Sequence, residues 1–337
     1  MTASGDVLPF PVLLADIGGT NARFAMVTGP DTPLQVFPIV ATNAYPSPDA
    51  AALAVLAAAG APHPRAAVLA FAGPIEGARP RLTNANWAFD VHELIAALAL
   101  DELVLVNDFE ALSLALPVLS GDALMPIGGG RVVENAPRVV VGPGTGMGVG
   151  GLIHSAGRWV PLPSEAGHCD LGPVTDADFA LWPALERAHG RITPETVLSG
   201  PGLLRLYKAV AKVAGRAAAC ATPAEVTAAA EAGDDLAAAT LDHFSAHLAR
   251  FAGNLALTYL ARGGVYLAGG IAPRIESHLT DGRFRAMFED KAPHTALVRE
   301  IPTFLIRHPL PALEGLAAFA RTPHRFFVPA SHRFRRG

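Results

Sequence analysis

Cysteine and lysine are scarce in this chain of 337 residues, which contains two cysteines, Cys169 and Cys220, and three lysines. Two cysteines cannot form a disulfide framework or a zinc site built from several cysteines. Charged residues make up only 17% of the chain, and the formal net charge is −4. Nucleic-acid binding requires a basic surface that this balance does not supply. We therefore predict no nucleic-acid partner.

Long apolar segments are also missing from the sequence. The alanine-rich run Ala50–Ala61 contains twelve residues, whereas about 20 are needed to span a bilayer. No basic residue precedes Arg23, and two acids, Asp6 and Asp16, lie before it, which is unlike a signal peptide. We therefore expect a cytoplasmic protein without a membrane partner.

The chain instead has the material for a large core, since 51% of its residues are hydrophobic. Its length predicts about two domains at roughly 150 residues each. Two strands, Val7–Leu14 and Arg23–Val27, flank a first turn of glycine and threonine. Two more, Arg138–Val141 and Leu152–Val160, flank a second, longer glycine-rich turn. This weak internal duplication indicates an α/β protein with two related halves.

Other segments alternate between strand and helix, as in a largely parallel sheet with helical cover. The predicted strands are Ala66–Ala72, Glu102–Val106 and Val265–Ala268, and the predicted helices are His92–Leu100, Asp235–Ala261 and Pro311–Ala320. Another helix is predicted to begin at Thr222, because Pro223 and Glu225 follow it in a capping pattern. Four arginines lie in the last thirteen residues. We expect this basic tail to be a solvated, frayed terminus.

The glycine turns are candidate anion sites, because backbone N–H groups are accessible where side chains are absent. An ordinary tight hairpin is the alternative for either turn alone. The chain has no Gly-Lys pair, which excludes a P-loop.

Residues 146–151, GMGVGG, match the dinucleotide pattern GxGxxG, but a strand is predicted after them where that fold requires a helix. With no lysine at the turns, phosphate charge must be met by amides and a divalent cation, and Asp16 is the carboxylate placed to face it.

Polar side chains at two places suggest chemistry. Asn107 and Asp108 follow a predicted strand, where α/β sheets bind ligands; Asp108 could accept a hydroxyl proton, although a helix cap is the alternative. Glu165 and His168 are three residues apart, with a glycine between them. No second histidine lies at the spacing that a zinc site requires, so this pair favours a loop that faces a polar ligand. Glu195 is a further candidate acid, or simply an acid in the first turn of a helix.

Taken together, these segments resemble the bacterial glucokinase family, the hexokinase-like phosphotransferases. The matching stretches occur in family order: LLADIGGTNARFA, RLTNANWAF, VNDFEALSLALP, GPGTGMGVG, LPSEAGH, ETVLSGPGLLRLY, FAGNLAL, GGVYLAGGIAPR and FRAMFEDK. They extend from residue 13 to about residue 291. The resemblance implies the actin-like ATPase fold, with two α/β domains around a cleft. We expect a small domain of residues 1–118 plus 311–322, a large domain of residues 119–310, and a basic tail of residues 323–337.

The resemblance also implies roles for residues at the matching positions. Asp108 corresponds to the catalytic base, and sugar binding is implied for Asn107, Asp108, Glu165, His168 and Glu195. ATP binding is implied for three groups of residues. Two groups would contact the phosphates: Ala15, Asp16, Ile17, Gly18, Gly19 and Thr20, and then Gly144, Thr145 and Gly146. The third, Gly269 and Gly270, would contact the adenosine. Mg²⁺ is implied, with Asp16 facing it. Ala166 stands where family members often have glycine.

The activity implied is transfer of the γ-phosphoryl group of ATP to the 6-hydroxyl of glucose, by a chain expected to form a homodimer. Two alternatives stay open. One is a kinase of another hexose or amino sugar, and the other is a non-catalytic sugar sensor on the same fold. The repressors and kinases of the related ROK family usually have a cysteine-rich zinc motif after this histidine, which two cysteines cannot supply. The phosphoryl donor could also be ADP or polyphosphate.

Overall fold

The computed structural model describes residues 7–73, 75, 77–79, 87 and 89–336. Most of the stretch RLTNANWAF therefore lies outside the described residues. The strands are β1 Val12–Ile17, β2 Asn21–Val27, β3 Gln35–Val36, β4 Val40–Ala41, β5 Ala66–Phe71, β6 Glu102–Asn107, β7 Leu124–Pro126, β8 Arg138–Pro143, β9 Met147–Ser155, β10 Arg158–Ser164, β11 Val265–Leu267, β12 Thr303–Ile306 and β13 Arg333–Arg335. The helices are α1 Pro48–Ala59, α2 Val91–Ala97, α3 Asp108–Ala115, α4 Asp176–Leu181, α5 Pro194–Leu198, α6 Gly200–Val213, α7 Pro223–Glu231, α8 Asp235–Tyr259, α9 Glu276–Thr280, α10 Arg283–Glu289, α11 Thr295–Arg299 and α12 Pro311–Arg321.

The chain divides into two compact units, of which the first comprises residues 1–120, 152–163 and 308–337. Its sheet has the strand order β13-β6-β5-β1-β2-β3, with β4 also paired to β2. Strands β1, β5 and β6 are parallel, whereas β1 and β2 form an antiparallel hairpin. Their residues are almost wholly buried, as expected for strands covered on both faces.

Helices α3 and α12 pack closely in the first unit. Gly315 makes this possible, because a Cβ at that position would lie 2.0 Å from the carbonyl oxygen of Ala111. Any larger residue at position 315 would push α12 away from the helix that begins at Asp108. The contact therefore fixes the position of α3 within this unit.

The second unit comprises residues 121–151 and 164–307. Its strands follow the order β9-β8-β11-β12-β7. Only residues 147–151 of β9 belong to this unit. The long helix α8 supplies many of the core residues of this unit. Its start is an N-cap in which the Asp234 carboxylate accepts from the N–H of Ala237 at 2.7 Å. The capping pattern predicted at Thr222 is present as well, since its hydroxyl accepts from the N–H of Glu225.

Three expectations from the sequence are wrong. The strand expected at Val7–Leu14 begins later and extends further, because β1 comprises Val12–Ile17. The basic tail is not frayed, because Arg333–Arg335 form β13 against β6, and Arg333 Nε donates to Glu102 Oε1 at 2.6 Å. The segment Leu152–Val160 is not one strand, because β9 begins inside the glycine-rich stretch at Met147 and ends at Ser155. The turn to β10 follows at Ala156 (φ 49°) and Gly157 (φ 78°), both left-handed. Because β8 ends at Pro143 and β9 begins at Met147, the glycine turn comprises only residues 144–146.

No helix among the described residues combines the length and the apolar character that crossing a membrane requires. The two units are defined by contacts within the chain. The functional domains expected above, with their boundaries at residues 118 and 310, stay a prediction.

Candidate active site

In the first unit, β6 ends at Asn107 and α3 begins at Asp108. The Asn107 side chain caps α3: its Oδ1 accepts from the N–H of Phe109 at 2.9 Å, and its Nδ2 donates to the carbonyl of Gly73 at 3.2 Å. Glu110 completes a capping box, because its carboxylate accepts from the N–H of Asn107 at 2.8 Å. The helix-cap alternative is therefore realised by Asn107, and it fixes where Asp108 lies.

Asp108 has an electrostatic setting suited to a proton acceptor. Burial and, to a smaller extent, the negative charge of Asp16 raise the pKa of Asp108 to about 6. A general base is most effective when its pKa lies near the working pH. The carboxylate of Asp108 also accepts from the N–H of Phe109 at 3.0 Å. The group is thus oriented by the helix start and becomes more basic through burial.

Asp16 lies near the end of β1, two strands from β6. It is directly opposite Arg23 in the β1–β2 hairpin, and Arg23 Nη1 donates to Asp16 Oδ2 at 3.1 Å. Burial raises the pKa of Asp16, while the adjacent Arg23 guanidinium acts in the lowering direction. Buried carboxylates with a raised pKa are typical of sites that face a ligand or a cation.

The first glycine turn links β1 to β2. Ala15, Asp16 and Ile17 end β1, and Gly18, Gly19 and Thr20 form the turn, closed by a hydrogen bond from Gly18 N to the carbonyl of Asn21 at 3.0 Å. A hairpin is therefore present, as the alternative supposed. Its position beside Asp16 leaves the anion-binding interpretation of the turn open.

In the second unit, Glu165, His168 and Glu195 lie together. His168 Nε2 is 3.8 Å from Glu165 Oε2 and 4.0 Å from Glu195 Oε2. Glu195 is in the first turn of α5, and its Oε2 also accepts from the N–H of Met147 at 3.0 Å. These side chains are 88%, 56% and 37% exposed in the order Glu165, His168, Glu195. Two acids and an imidazole can bind several hydroxyl groups of one polar ligand.

Gly167 holds the loop of this cluster against β9. A Cβ at Gly167 would lie 2.0 Å from the carbonyl oxygen of Met147, so only glycine allows this approach. The neighbouring Ala166, at a position where the resemblance implies glycine, is partly buried against the core. The alanine is therefore accommodated without disturbing the loop.

The second glycine turn meets two other segments of the same unit. Gly144, Thr145 and Gly146 link β8 to β9, and the carbonyl of Gly144 accepts from Gly200 N, at the start of α6, at 2.8 Å. Gly269 (φ +80°) and Gly270 follow β11, and a Cβ on Gly269 would lie 2.4 Å from the carbonyl oxygen of Pro143. A Cβ on Gly144 or Gly270 would meet nothing within 4 Å, which leaves both backbones open to a ligand.

The sequence-predicted residues thus form one set in each unit. Residues 15–20, Asn107 and Asp108 belong to the first unit, and the remaining predicted residues belong to the second. Three further residues of the first unit were missed. Glu110 has a readable signal, since Asn-x-x-Glu is a capping-box pattern. The position of Arg23 opposite Asp16 could have been predicted from the register of the hairpin. Thr42, which contacts the first glycine turn, has no local signal in the sequence.

Comparison with known proteins identifies the relatives of this chain. The family model described as Glucokinase matches residues 13–323. A protein of Sinorhizobium medicae named glucokinase is 48% identical over 328 residues, covering 97% of this chain and 96% of the relative. One of Rhizobium meliloti with the same name is 47% identical over 328 residues, with the same coverage. The crystal structure of a glucokinase from an Antarctic psychrotroph superimposes with a TM-score of 0.83 at 37% identity, covering 91% of this chain and 98% of that chain.

Proposed function

We propose, from the premise that this chain belongs to the glucokinase family, that it transfers the γ-phosphoryl group of ATP to the 6-hydroxyl of glucose. The products are glucose 6-phosphate and ADP. The observation that carries the proposal is the position of Asp108, held at the start of α3 by the Asn107 cap, with its pKa raised to about 6. A sugar hydroxyl attacking a phosphoryl group must lose its proton, and the raised pKa of Asp108 supports its assignment as the acceptor.

In this proposal Asp108 is the general base. Phosphoryl transfer involves little covalent chemistry by the protein, so positioning and charge neutralisation dominate catalysis. The hydroxyl proton moves to Asp108 as the oxygen attacks the γ-phosphorus, and ADP leaves with the bridging oxygen. A carboxyl with a pKa of about 6 is deprotonated at neutral pH and still basic enough to accept a proton.

Glucose binding is assigned to Asn107, Asp108, Glu165, His168 and Glu195. The Asn107 side chain also caps α3, so a change there alters both the helix start and the sugar contact. His168 Nε2 lies 3.8 Å from a carboxylate oxygen of Glu165 and 4.0 Å from one of Glu195 in the second unit, a spacing that suits neighbouring hydroxyl groups of one sugar ring. Hydrogen bonds from hydroxyls to carboxylates are charge-assisted and therefore strong.

ATP binding is assigned to the two glycine turns, with Gly269 and Gly270 near the adenosine. The open backbone at Gly144 and Gly270 supports this, because a phosphate or a ring can approach there without meeting a side chain. The start of α6 lies against Gly144, and the N-terminus of a helix favours an anion.

Mg²⁺ is assigned to Asp16, whose Oδ2 accepts a hydrogen bond from Arg23 and whose pKa is raised by burial. A carboxylate oxygen at the edge of a phosphate-binding turn suits a cation that prefers oxygen ligands and keeps several waters. When bound, Mg²⁺ would neutralise phosphate charge during the transfer. Asp16 itself would hold the ion directly or through a water molecule.

The proposal is tested by incubating the chain with ATP and Mg²⁺ and one of four sugars: glucose, mannose, fructose or N-acetylglucosamine. Parallel incubations replace ATP with ADP or polyphosphate. We expect glucose 6-phosphate in large excess over the other products. A product from another sugar would support the alternative hexose kinase, and product formation only with ADP or polyphosphate would change the donor. Sugar binding without any product would support the sensor alternative.

Cellular location and assembly belong to the same proposal. We infer a cytoplasmic enzyme, since ATP and phosphorylated sugars are cytoplasmic metabolites, and a homodimer by resemblance to the family. The domains of residues 1–118 with 311–322, and of residues 119–310, are proposed as its two functional parts. Sedimentation of the purified chain at several concentrations tests the dimer.

A further inference from the structure

We propose that Thr42 is a positioning residue for nucleotide binding, because it fixes the orientation of the first glycine turn. This inference rests on the proposed function, in which the turn Gly18–Thr20 binds the phosphates of ATP. Thr42 is outside that turn by more than twenty residues and its side chain is buried, with 6% exposure. It acts through the backbone of the turn and touches no reacting atom.

Strand β4 brings Thr42 to the turn. The short strand pairs with β2 so that Ala41 is opposite Asn21 and Val40 is opposite Ala22. This antiparallel register places Thr42, the next residue after β4, opposite Thr20. The N–H of Thr42 donates to the carbonyl of Thr20 at 2.9 Å. The ladder between β2 and β4 thus extends into the turn itself.

The hydroxyl of Thr42 makes a second contact with the turn. Its Oγ1 donates to the carbonyl of Gly19 at 2.9 Å. Two consecutive carbonyls, those of Gly19 and Thr20, therefore point toward Thr42. Glycine is the residue whose backbone rotates most freely. The hydroxyl of Thr42 therefore restrains the peptide bond after Gly19, which would otherwise be the freest to rotate.

Peptide geometry gives these two bonds their functional meaning. In a planar trans peptide the carbonyl and the N–H point in opposite directions. With the carbonyls of Gly19 and Thr20 held on Thr42, the N–H groups of Thr20 and Asn21 are directed away from it. Those are the groups that a phosphate oxygen would meet at this turn. Thr42 thus orients the donors before the nucleotide arrives, which lowers the ordering cost of binding.

The test compares three variants in the full chain. Thr42→Val has nearly the same shape but lacks the hydroxyl, and Thr42→Ser restores it. Thr32→Val is the matched control in the same unit, because the Thr32 hydroxyl also donates to a glycine carbonyl, that of Gly29, at 2.9 Å. The probe is a non-hydrolysable ATP analogue with Mg²⁺, measured by calorimetry, alongside the KM for ATP, the KM for glucose and the melting temperature.

We expect Thr42→Val to raise the Kd for the analogue about five-fold, as for loss of one neutral hydrogen bond. The KM for ATP should rise in parallel, the KM for glucose should be unchanged, and Thr42→Ser should recover most of the affinity. Thr32→Val should leave nucleotide affinity as in the wild type. An unchanged Kd in Thr42→Val, an equal loss in Thr32→Val, or no recovery in Thr42→Ser overturns this inference alone. A wild-type chain that binds no ATP analogue overturns the proposed function and this inference with it.

Discussion

Asp16 and Asp108 are coupled through their charges, although they belong to strands β1 and β6 with β5 between them. The parallel register aligns Ile17 with Phe71 and Phe71 with Asn107, so the two aspartates lie at the same edge of the sheet. The negative charge of Asp16 adds to burial in raising the pKa of Asp108 to about 6. One residue assigned to the metal therefore influences the residue assigned to the proton.

The pH dependence of activity follows from this coupling. Asp108 can accept a proton only as the carboxylate, so kcat/KM for glucose should be level above its pKa and fall below about pH 6. The fall should approach tenfold per pH unit for a single essential base. The measurement is kcat/KM from pH 5 to 8 with stability checked at each point. In Asp16→Asn the residual activity should begin to fall at a lower pH. A wild-type kcat/KM that stays level down to pH 5 would contradict the assignment.

Sugar binding should depend on Glu165. Glu165→Gln retains the shape of the side chain but removes the charge that strengthens hydrogen bonds from sugar hydroxyls. We expect the Kd for glucose to rise roughly 10- to 100-fold, the range for losing a hydrogen bond to a charged group. Calorimetry without nucleotide measures this directly. Glu186→Gln, an exposed acid of the same unit, is the control. Equal glucose affinity in Glu165→Gln and the wild type would contradict the role given to Glu165.

The folded tail should contribute to stability through Arg333. This arginine contacts Glu102, whose side chain is only 6% exposed, so Arg333→Met would leave a buried carboxylate with one weaker partner, Arg335, at 3.6 Å. We expect a loss of about 3 kcal/mol, as when one member of a buried pair is removed. Urea unfolding measures it. Arg336→Met, at an exposed position, should stay within about 0.5 kcal/mol of the wild type. Equal stability of the two variants would show that β13 is dispensable.

Much of the fold could be predicted from local patterns. Runs of apolar residues gave the positions of β5, β6, β8 and β11 and of the first half of β1, and a proline with a capping threonine gave the start of α7. The pairing of β13 could not be predicted in this way, because it depends on a partner strand more than 200 residues earlier. The hairpin after Ser155 was missed because Ala156 adopts a left-handed conformation that alanine rarely adopts.

The residues of the candidate site also differ in whether local sequence patterns reveal them. Asn107 and Asp108 could be found because they end an apolar strand, and Glu110 could have been found from its spacing to Asn107. Glu165, His168 and Glu195 needed the family resemblance to be grouped, since Glu195 alone is an ordinary acid in a helix. The contact of Thr42 with Gly19 depends on the pairing of a two-residue strand, and no local pattern encodes it.

The most direct test of the account is to measure turnover and glucose affinity together in Asp108→Asn. This variant keeps the size of the side chain and removes its ability to accept a proton. We predict that glucose 6-phosphate formation from ATP falls roughly 10²- to 10⁴-fold, the contribution of a positioned base, while the Kd for glucose changes by less than about tenfold. Asp101→Asn, an aspartate of the same unit that pairs with Arg65, should retain turnover. Near-wild-type turnover in Asp108→Asn would contradict the account.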